Sequence, residues 1–285
     1  MPELPEVETV VRGLQKVLSG RRVVSVRLGK TDFIDDPVAV EQELPGKTIL
    51  AVKRFGKFLL FDLESPQQLE NGTSLLIHLG MTGQLRTCPA EAPVLPHTHV
   101  FLGLNDGREL RYTDIRRFGR FAVLKNGARE VALGGLGLDP LEASEKQFCE
   151  RLRGRRARMK ALLLDQRVFR GIGNIYADES LWRARIHPMK LAAMLSERNL
   201  RDLYRAVQKV LTDAIRLRGS SVSDYVDSEG ERGGFQQRHR VYQRHGEKCS
   251  RCAATIRRAT VAGRSSHFCP RCQPSPRQQK SRSLR

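Results

Sequence analysis

The chain has 285 residues, 40% of them hydrophobic, which is enough to bury the cores of two medium or three small domains and too many for a disordered protein. Fifty Lys and Arg against 31 Asp and Glu give a formal charge of +19 and a sequence pI near 10.3, a balance that points to a polyanionic partner. No apolar run approaches the roughly 18 residues that span a bilayer, and the opening MPELPEVETVV is acidic and proline-rich where a secretory signal is basic and then apolar. The expectation is a cytosolic protein without membrane insertion.

Glu6 to Leu18 has helical spacing, with Val7, Val10, Val11 and Leu14 on one face. From there to about residue 135 the chain alternates apolar stretches with turn signals, among them RVVSVRL, KTILAVKRFGKFLLFDL, SLLIHLGMTGQLR and HVFLGLNDGRELRYT, the pattern of an antiparallel β-domain. Asn105-Asp106-Gly107 reads as a hairpin turn, because Asp-Gly tolerates positive φ. Gly134 to Ser144, with three glycines and Pro140, reads as a hinge. Beyond it the period becomes helical. Ser196 can cap a helix whose Leu200, Leu203, Val207, Val210, Leu211 and Ala214 share a face and which ends before Gly219. Residues 220–240 mix small, charged and glycine residues without a period, which predicts a long loop. The end, QPSPRQQKSRSLR, has four positive charges and no acid and predicts a disordered tail.

Four of the six cysteines form two CxxC pairs, Cys249/Cys252 and Cys269/Cys272, separated by 16 residues. That spacing lets two short turns present four thiolates tetrahedrally, so one structural Zn²⁺ is expected rather than two disulfides or a redox dithiol. Cys88 and Cys149 read as ordinary thiols. Arg251, inside the first pair, and Arg257, Arg258 and Arg264, between the pairs, suit phosphate contact, with Arg264 preferred.

Pro2 follows the initiator Met, and removal of Met1 leaves a secondary amine, a good carbonyl nucleophile with Glu3 and Glu6 close in sequence. A proline before an acidic helix start has an equally simple structural reading. The sequence MPELPEVETVVRGL resembles the start of bacterial formamidopyrimidine-DNA glycosylases. The likeness continues in order through GKFLLFDL (56–63), HLGMTGQL (78–85), YTDIRRFGRF (112–121), GIGNIYADESL (171–181) and the CxxC pairs.

The resemblance implies an α+β multidomain fold: an N-terminal antiparallel β-sandwich (1–135), a hinge (136–150), a helical helix-two-turn-helix domain with a lesion loop (151–230), a four-cysteine zinc ribbon (231–273) and the basic tail (274–285). It implies a bifunctional glycosylase and abasic-site lyase of base excision repair, a monomer acting on nucleoid DNA that carries oxidised purines or abasic sites. Pro2 would be the nucleophile, Glu3 the acid-base group, and Lys57, which by itself could simply snorkel, a partner near the proline. An everted base leaves a hole, to be filled by Met81, Arg116 and Phe118, although Met81 and Phe118 alone would read as core. His97, Arg116, Lys160, Asn174 and Arg264 would contact DNA, Asn174 also capping its helix. Asp178 reads as a helix-dipole residue. The chain departs from the family in VYQRHGEKC, where Gln243 and Lys248 replace a usual glycine and proline. The rival readings are the sister glycosylases for oxidised pyrimidines and a non-catalytic zinc-ribbon DNA-binding protein.

Overall fold

The computed structural model describes residues 1–65, 68–125 and 127–275, so residues 276–285 of the expected tail lie outside the described residues. It divides into two compact units. Unit 1 comprises residues 1–136 and 212–237, and unit 2 residues 137–211 and 238–285.

Unit 1 opens with helix α1 (Leu4–Leu18), whose Val7, Val10, Val11 and Leu14 are buried as their spacing predicts. Eight strands follow: β1 (Val23–Leu28), β2 (Thr48–Phe55), β3 (Phe58–Ser65), β4 (Gln68–His78), β5 (Gln84–Pro89), β6 (Thr98–Leu104), β7 (Arg108–Thr113) and β8 (Arg120–Leu124). They form two four-stranded antiparallel sheets, ordered β1-β6-β7-β5 and β2-β3-β4-β8. The short helix α2 (Pro37–Glu43) is capped by the Asp36 carboxylate. One core contains Leu102, Leu104 and Leu110 from the first sheet with Ile49, Leu59, Phe61, Leu75 and Ile77 from the second, the interior of a sandwich. Leu60 and Leu76 point the other way and meet Leu133 of α3 (Ala128–Leu133), so the second sheet is covered on both faces. The turn 105–107 joins β6 to β7 as expected, with Gly107 at φ +81°.

Unit 2 contains α4 (Glu145–Leu152), α5 (Met159–Leu164), α6 (Asn174–Arg183) and the first part of α7 (Glu197–Arg216). Ser196 caps α7 by accepting from Asn199 N at 3.2 Å, and Leu200, Leu203, Val207, Val210 and Leu211 are buried. Much of the glycine-rich stretch expected as a hinge is held within this unit. Gly137 N donates to Gln166 O, Leu138 N to Val168 O and Gln208 Nε2 to Pro140 O, at 2.8, 3.2 and 2.6 Å.

Strands β9 (Arg257–Val261) and β10 (Arg264–Phe268) form the hairpin of the ribbon, turned by Ala262 and Gly263 at φ +50° and +70°. Cys249 and Cys269 are buried with Trp182, Val241 and Ile256. Gln243 adopts φ +57°, a left-handed turn position that glycine enters more easily than a residue with a side chain. Among the described residues no helix is long and apolar enough to cross a membrane.

Candidate active site and nucleic-acid interface

Pro2 is buried at the head of α1. Glu3 is the N-cap in a reciprocal capping box: its carboxylate accepts from Glu6 N, and Glu6 Oε2 accepts from Glu3 N at 2.8 Å. Glu6 Oε1 also accepts from Ser220 N at 2.7 Å, and Tyr225 donates its hydroxyl to Glu6 O at 3.3 Å. The first part of the expected lesion loop is thereby tied to α1. Glu3, Glu6 and Lys57 are all buried around the chain start. The Met1 ammonium is held below its ordinary range by burial first, with Glu3 and Glu6 pulling upward and Lys57 pushing down. Lys57, distant in sequence, therefore shares one environment with Pro2 and Glu3.

His78 belongs to the same surroundings and was not singled out from sequence. It pairs with Phe58, the residue after Lys57, across β3 and β4, and its Nδ1 accepts from Gly80 N at 3.1 Å. Burial, with Lys57 and Arg120 nearby, pushes its pKa down to about 4. Its signals in the sequence were its place after the apolar run SLLI and at the head of the block HLGMTGQL.

Met81, Arg116 and Phe118 come together on the surface of unit 1. Met81 and Phe118 are 40% and 56% exposed, which removes the core reading of both. Arg116 Nη1 lies 3.3 Å from Met81 Sδ, and its guanidinium stands 4.5 Å from the Phe118 ring centre. Buried Asp114, another residue not anticipated, organises both loops. It accepts from Thr82 Oγ1 at 2.5 Å, Tyr112 OH at 2.9 Å, Gly119 N at 3.0 Å and Arg116 N at 3.2 Å. Gly80 lets the loops approach, since a Cβ there would stand 2.4 Å from Phe118 C. His97 is exposed at φ +64° and accepts through its carbonyl from Asp114 N at 3.0 Å.

In unit 2 the N-cap of α6 is Gly173, and Asn174 is the first helical residue, so Asn174 does not cap the helix as expected. Its Oδ1 is buried and makes no hydrogen bond among the described residues. Arg264 is exposed beside the hairpin turn. Lys160 differs from expectation: it is fully buried, donating to Asp178 Oδ1 at 2.6 Å and Ser265 O at 2.9 Å. A side chain without exposed surface does not reach a DNA phosphate, so Lys160 joins α5 to the ribbon instead. Asp178 also departs from its dipole reading, because its other oxygen accepts from His267 N at 2.9 Å. Glu179 accepts from the backbone N–H groups of Arg240, Val241 and Tyr242. Burial pushes its pKa up to about 7 while those donors pull it down.

The four cysteine sulfurs lie within 4.8 Å of one another, with separations of 3.4, 3.5 and 3.9 Å for Cys252/Cys269, Cys252/Cys272 and Cys249/Cys272. A tetrahedron with Zn–S bonds of about 2.3 Å has edges of about 3.8 Å, so this donor set fits one zinc ion, whereas a disulfide requires about 2.04 Å. All four protein positions are filled by thiolates, the closed arrangement of a structural site.

Family comparison agrees with these arrangements over most of the length. The formamidopyrimidine-DNA glycosylase N-terminal domain matches residues 1–121, the H2TH domain of the same enzymes residues 136–226, and the zinc finger found in FPG and IleRS residues 246–274. The chain belongs to the formamidopyrimidine-DNA glycosylase family. A relative of that name from Solibacter usitatus is 46% identical over 275 residues, covering 96% of this chain and 99% of its own. The structure is similar, at TM-score 0.87 and 36% identity, to the Lactococcus lactis Fpg in complex with DNA containing an abasic site, with 96% of this chain and 100% of that one covered. It is also similar, at TM-score 0.84 and 36% identity, to the wild-type Lactococcus lactis Fpg bound to DNA containing an oxidised pyrimidine, with the same coverage.

Proposed function

We propose that this protein is a bifunctional DNA glycosylase and abasic-site lyase of base excision repair that removes oxidised purines from duplex DNA. The observation that carries the reading is the buried chain start, where Pro2 lies with Glu3 and Lys57 and where burial and the Lys57 ammonium lower the proton affinity of the chain-start amine. After removal of Met1, the Pro2 nitrogen attacks the sugar C1′ and the damaged base leaves with a proton. Glu3 shuttles protons as the sugar ring opens to an iminium, and Lys57 sits beside the strand. Proton loss from C2′ then expels the 3′ phosphate, and a second elimination expels the 5′ phosphate.

Met81, Arg116 and Phe118 fill the hole left by the everted base, and their convergence in one exposed cluster supports that role. His97, Asn174 and Arg264 contact the DNA backbone; Asn174 opens α6, where the backbone N–H groups of a helix start suit a phosphate oxygen. The division read from the sequence into sandwich, helical domain and zinc ribbon is part of this proposal, the three acting as one monomer on cytoplasmic, nucleoid DNA.

Borohydride reduction in the presence of a duplex carrying 8-oxoguanine opposite cytosine is expected to trap a covalent adduct, and Pro2→Gly to remove most of it. No adduct with the wild-type protein would sink the mechanism. Preference for thymine glycol over 8-oxoguanine would select the pyrimidine branch, a reading kept open by the oxidised-pyrimidine complex of the Lactococcus lactis enzyme.

A further inference from the structure

The C-terminal end of α6 carries a second basic feature, separated from Asn174 by the ten residues of the helix, about 15 Å. An open hollow of about 620 Å³ is lined by Trp182, Arg183, Arg185, Arg240, Ser250 and Arg251, with no acid in the lining. Cations at a helix C-terminus have a simple structural use, since they offset its exposed carbonyls. Arg251 already fills that role: its Nη1 donates to Trp182 O at 3.1 Å and its guanidinium lies 4.0 Å from the Trp182 ring centre.

Arg183, Arg185 and Arg240 make no ion pair or side-chain hydrogen bond among the described residues. Other arginines of this unit do: Arg153 with Glu197 at 2.7 Å, Arg167 with Asp165 at 3.0 Å and Arg244 with Glu247 at 2.8 Å. Arg185 also occupies a left-handed position at φ +59° just past the helix, where glycine avoids strain. An adjoining hollow shares Arg183 and Arg185 but contains Asp202, and its Arg205 faces Glu145 at 3.6 Å, so an anion is better received on the Arg240 side.

We propose that this hollow binds the sugar-phosphate backbone of DNA, as a contact distinct from the start of α6. The lining cations are all arginine, whose forked donors match phosphate oxygens two at a time. Trp182 is only 8% exposed and is covered by Arg251, so no ring face is left for a base to stack on. Recognition is therefore of phosphate, without sequence preference. The proposal rests on the DNA-binding reading above.

The test compares the zinc-loaded wild type with the triple variant R183Q/R185Q/R240Q, after checking that zinc content and unfolding midpoint are unchanged. Affinity for an undamaged duplex is measured against salt. Each lost phosphate contact makes the plot of log K against log salt shallower by about 0.9, so a change of about 2 to 3 is expected, with binding weakened about tenfold or more at low salt. Single-turnover excision at saturating enzyme should stay at the wild-type rate. An unchanged slope overturns the proposal. So does a lost excision rate, which would move these arginines into the lesion site. A polyglutamate peptide bound by the wild type and not by the variant, with an unchanged DNA slope, overturns it in favour of an acidic protein partner. Failure of the wild type itself to bind duplex overturns the functional reading and this proposal with it, and is seen before any variant is made.

Discussion

Two clusters of buried ionisable groups, one at the amino terminus and one beneath the zinc ribbon, are held in different ways. Beneath the ribbon the partners interlock: Lys160 with Asp178 and Ser265 O, Asp178 with His267 N, and Glu179 with three successive backbone N–H groups. At the amino terminus a similar density of charge surrounds an amine whose proton is disfavoured by burial and by Lys57. Burying ionisable groups and shifting their proton affinity costs free energy, which a protein tolerates where a ligand or a reaction uses the result. The cluster beneath the ribbon is built to stay closed, and in the proposed mechanism the one at the amino terminus reacts.

The sharpest way to break this comparison is to remove one member of the closed cluster. Lys160→Met leaves the Asp178 carboxylate buried without its cation, and loss of about 3 to 5 kcal/mol of stability is expected from chemical denaturation. The double variant Lys160→Met/Asp178→Leu should recover much of that loss. If the single variant unfolds at the wild-type denaturant concentration, the pair is not the fastening described. A surface lysine would show no such effect, so the same measurement also tests the correction to its expected place at the DNA.

An intermediate effect is expected in unit 1 from Asp114→Asn. The amide replaces one acceptor oxygen by a donor that faces N–H or O–H groups, and leaving a buried partner unsatisfied costs about 1 to 3 kcal/mol. Because Asp114 ties the Thr82 loop to the Arg116 loop, excision of 8-oxoguanine should fall more than incision at a preformed abasic site, which needs no base everted. Equal losses on the two substrates would deny Asp114 a positioning role.

These residues also show what was legible in the sequence. Period and turn chemistry act locally, so the strands of the sandwich, the turn at Asn105–Gly107, the cap at Ser196 and the buried face of α7 could be read directly. The four cysteines were legible because metal geometry demands a spacing. Lys160 and Asp178 are 18 positions apart and Ser265 lies 105 from Lys160, so no local pattern signals that they meet. Arg185 and Gln243 take left-handed backbone angles that their side chains disfavour, which hides two turns from a reading based on glycine. Pro2, Glu3 and Lys57 were named through family likeness. What the fold adds is His78, placed beside them by the pairing of β3 with β4.

The smallest expected effect concerns that histidine and depends on pH. In the unfolded chain His78 takes up a proton below about pH 6.5, whereas in the folded protein it stays neutral until about pH 4. Between those values the unfolded state binds more protons, so stability present above pH 6.5 is lost as the pH falls toward 4. A fully dry site would make this about 3 kcal/mol at 1.36 kcal/mol per pH unit; His78 keeps some solvent contact, so about 1 to 2 kcal/mol is expected. His99, His187 and His239 are depressed in the same direction and add to the slope, which is why the variant matters more than the profile alone. His78→Asn has no proton to gain and should flatten the unfolding free energy between pH 6.5 and 4 relative to wild type. An identical slope in both proteins would mean that His78 takes its proton equally well folded and unfolded. The neutral histidine next to Lys57 would then be lost from the description of the amino-terminal cluster, and the contrast with the closed cluster beneath the ribbon would rest on the chain-start amine alone.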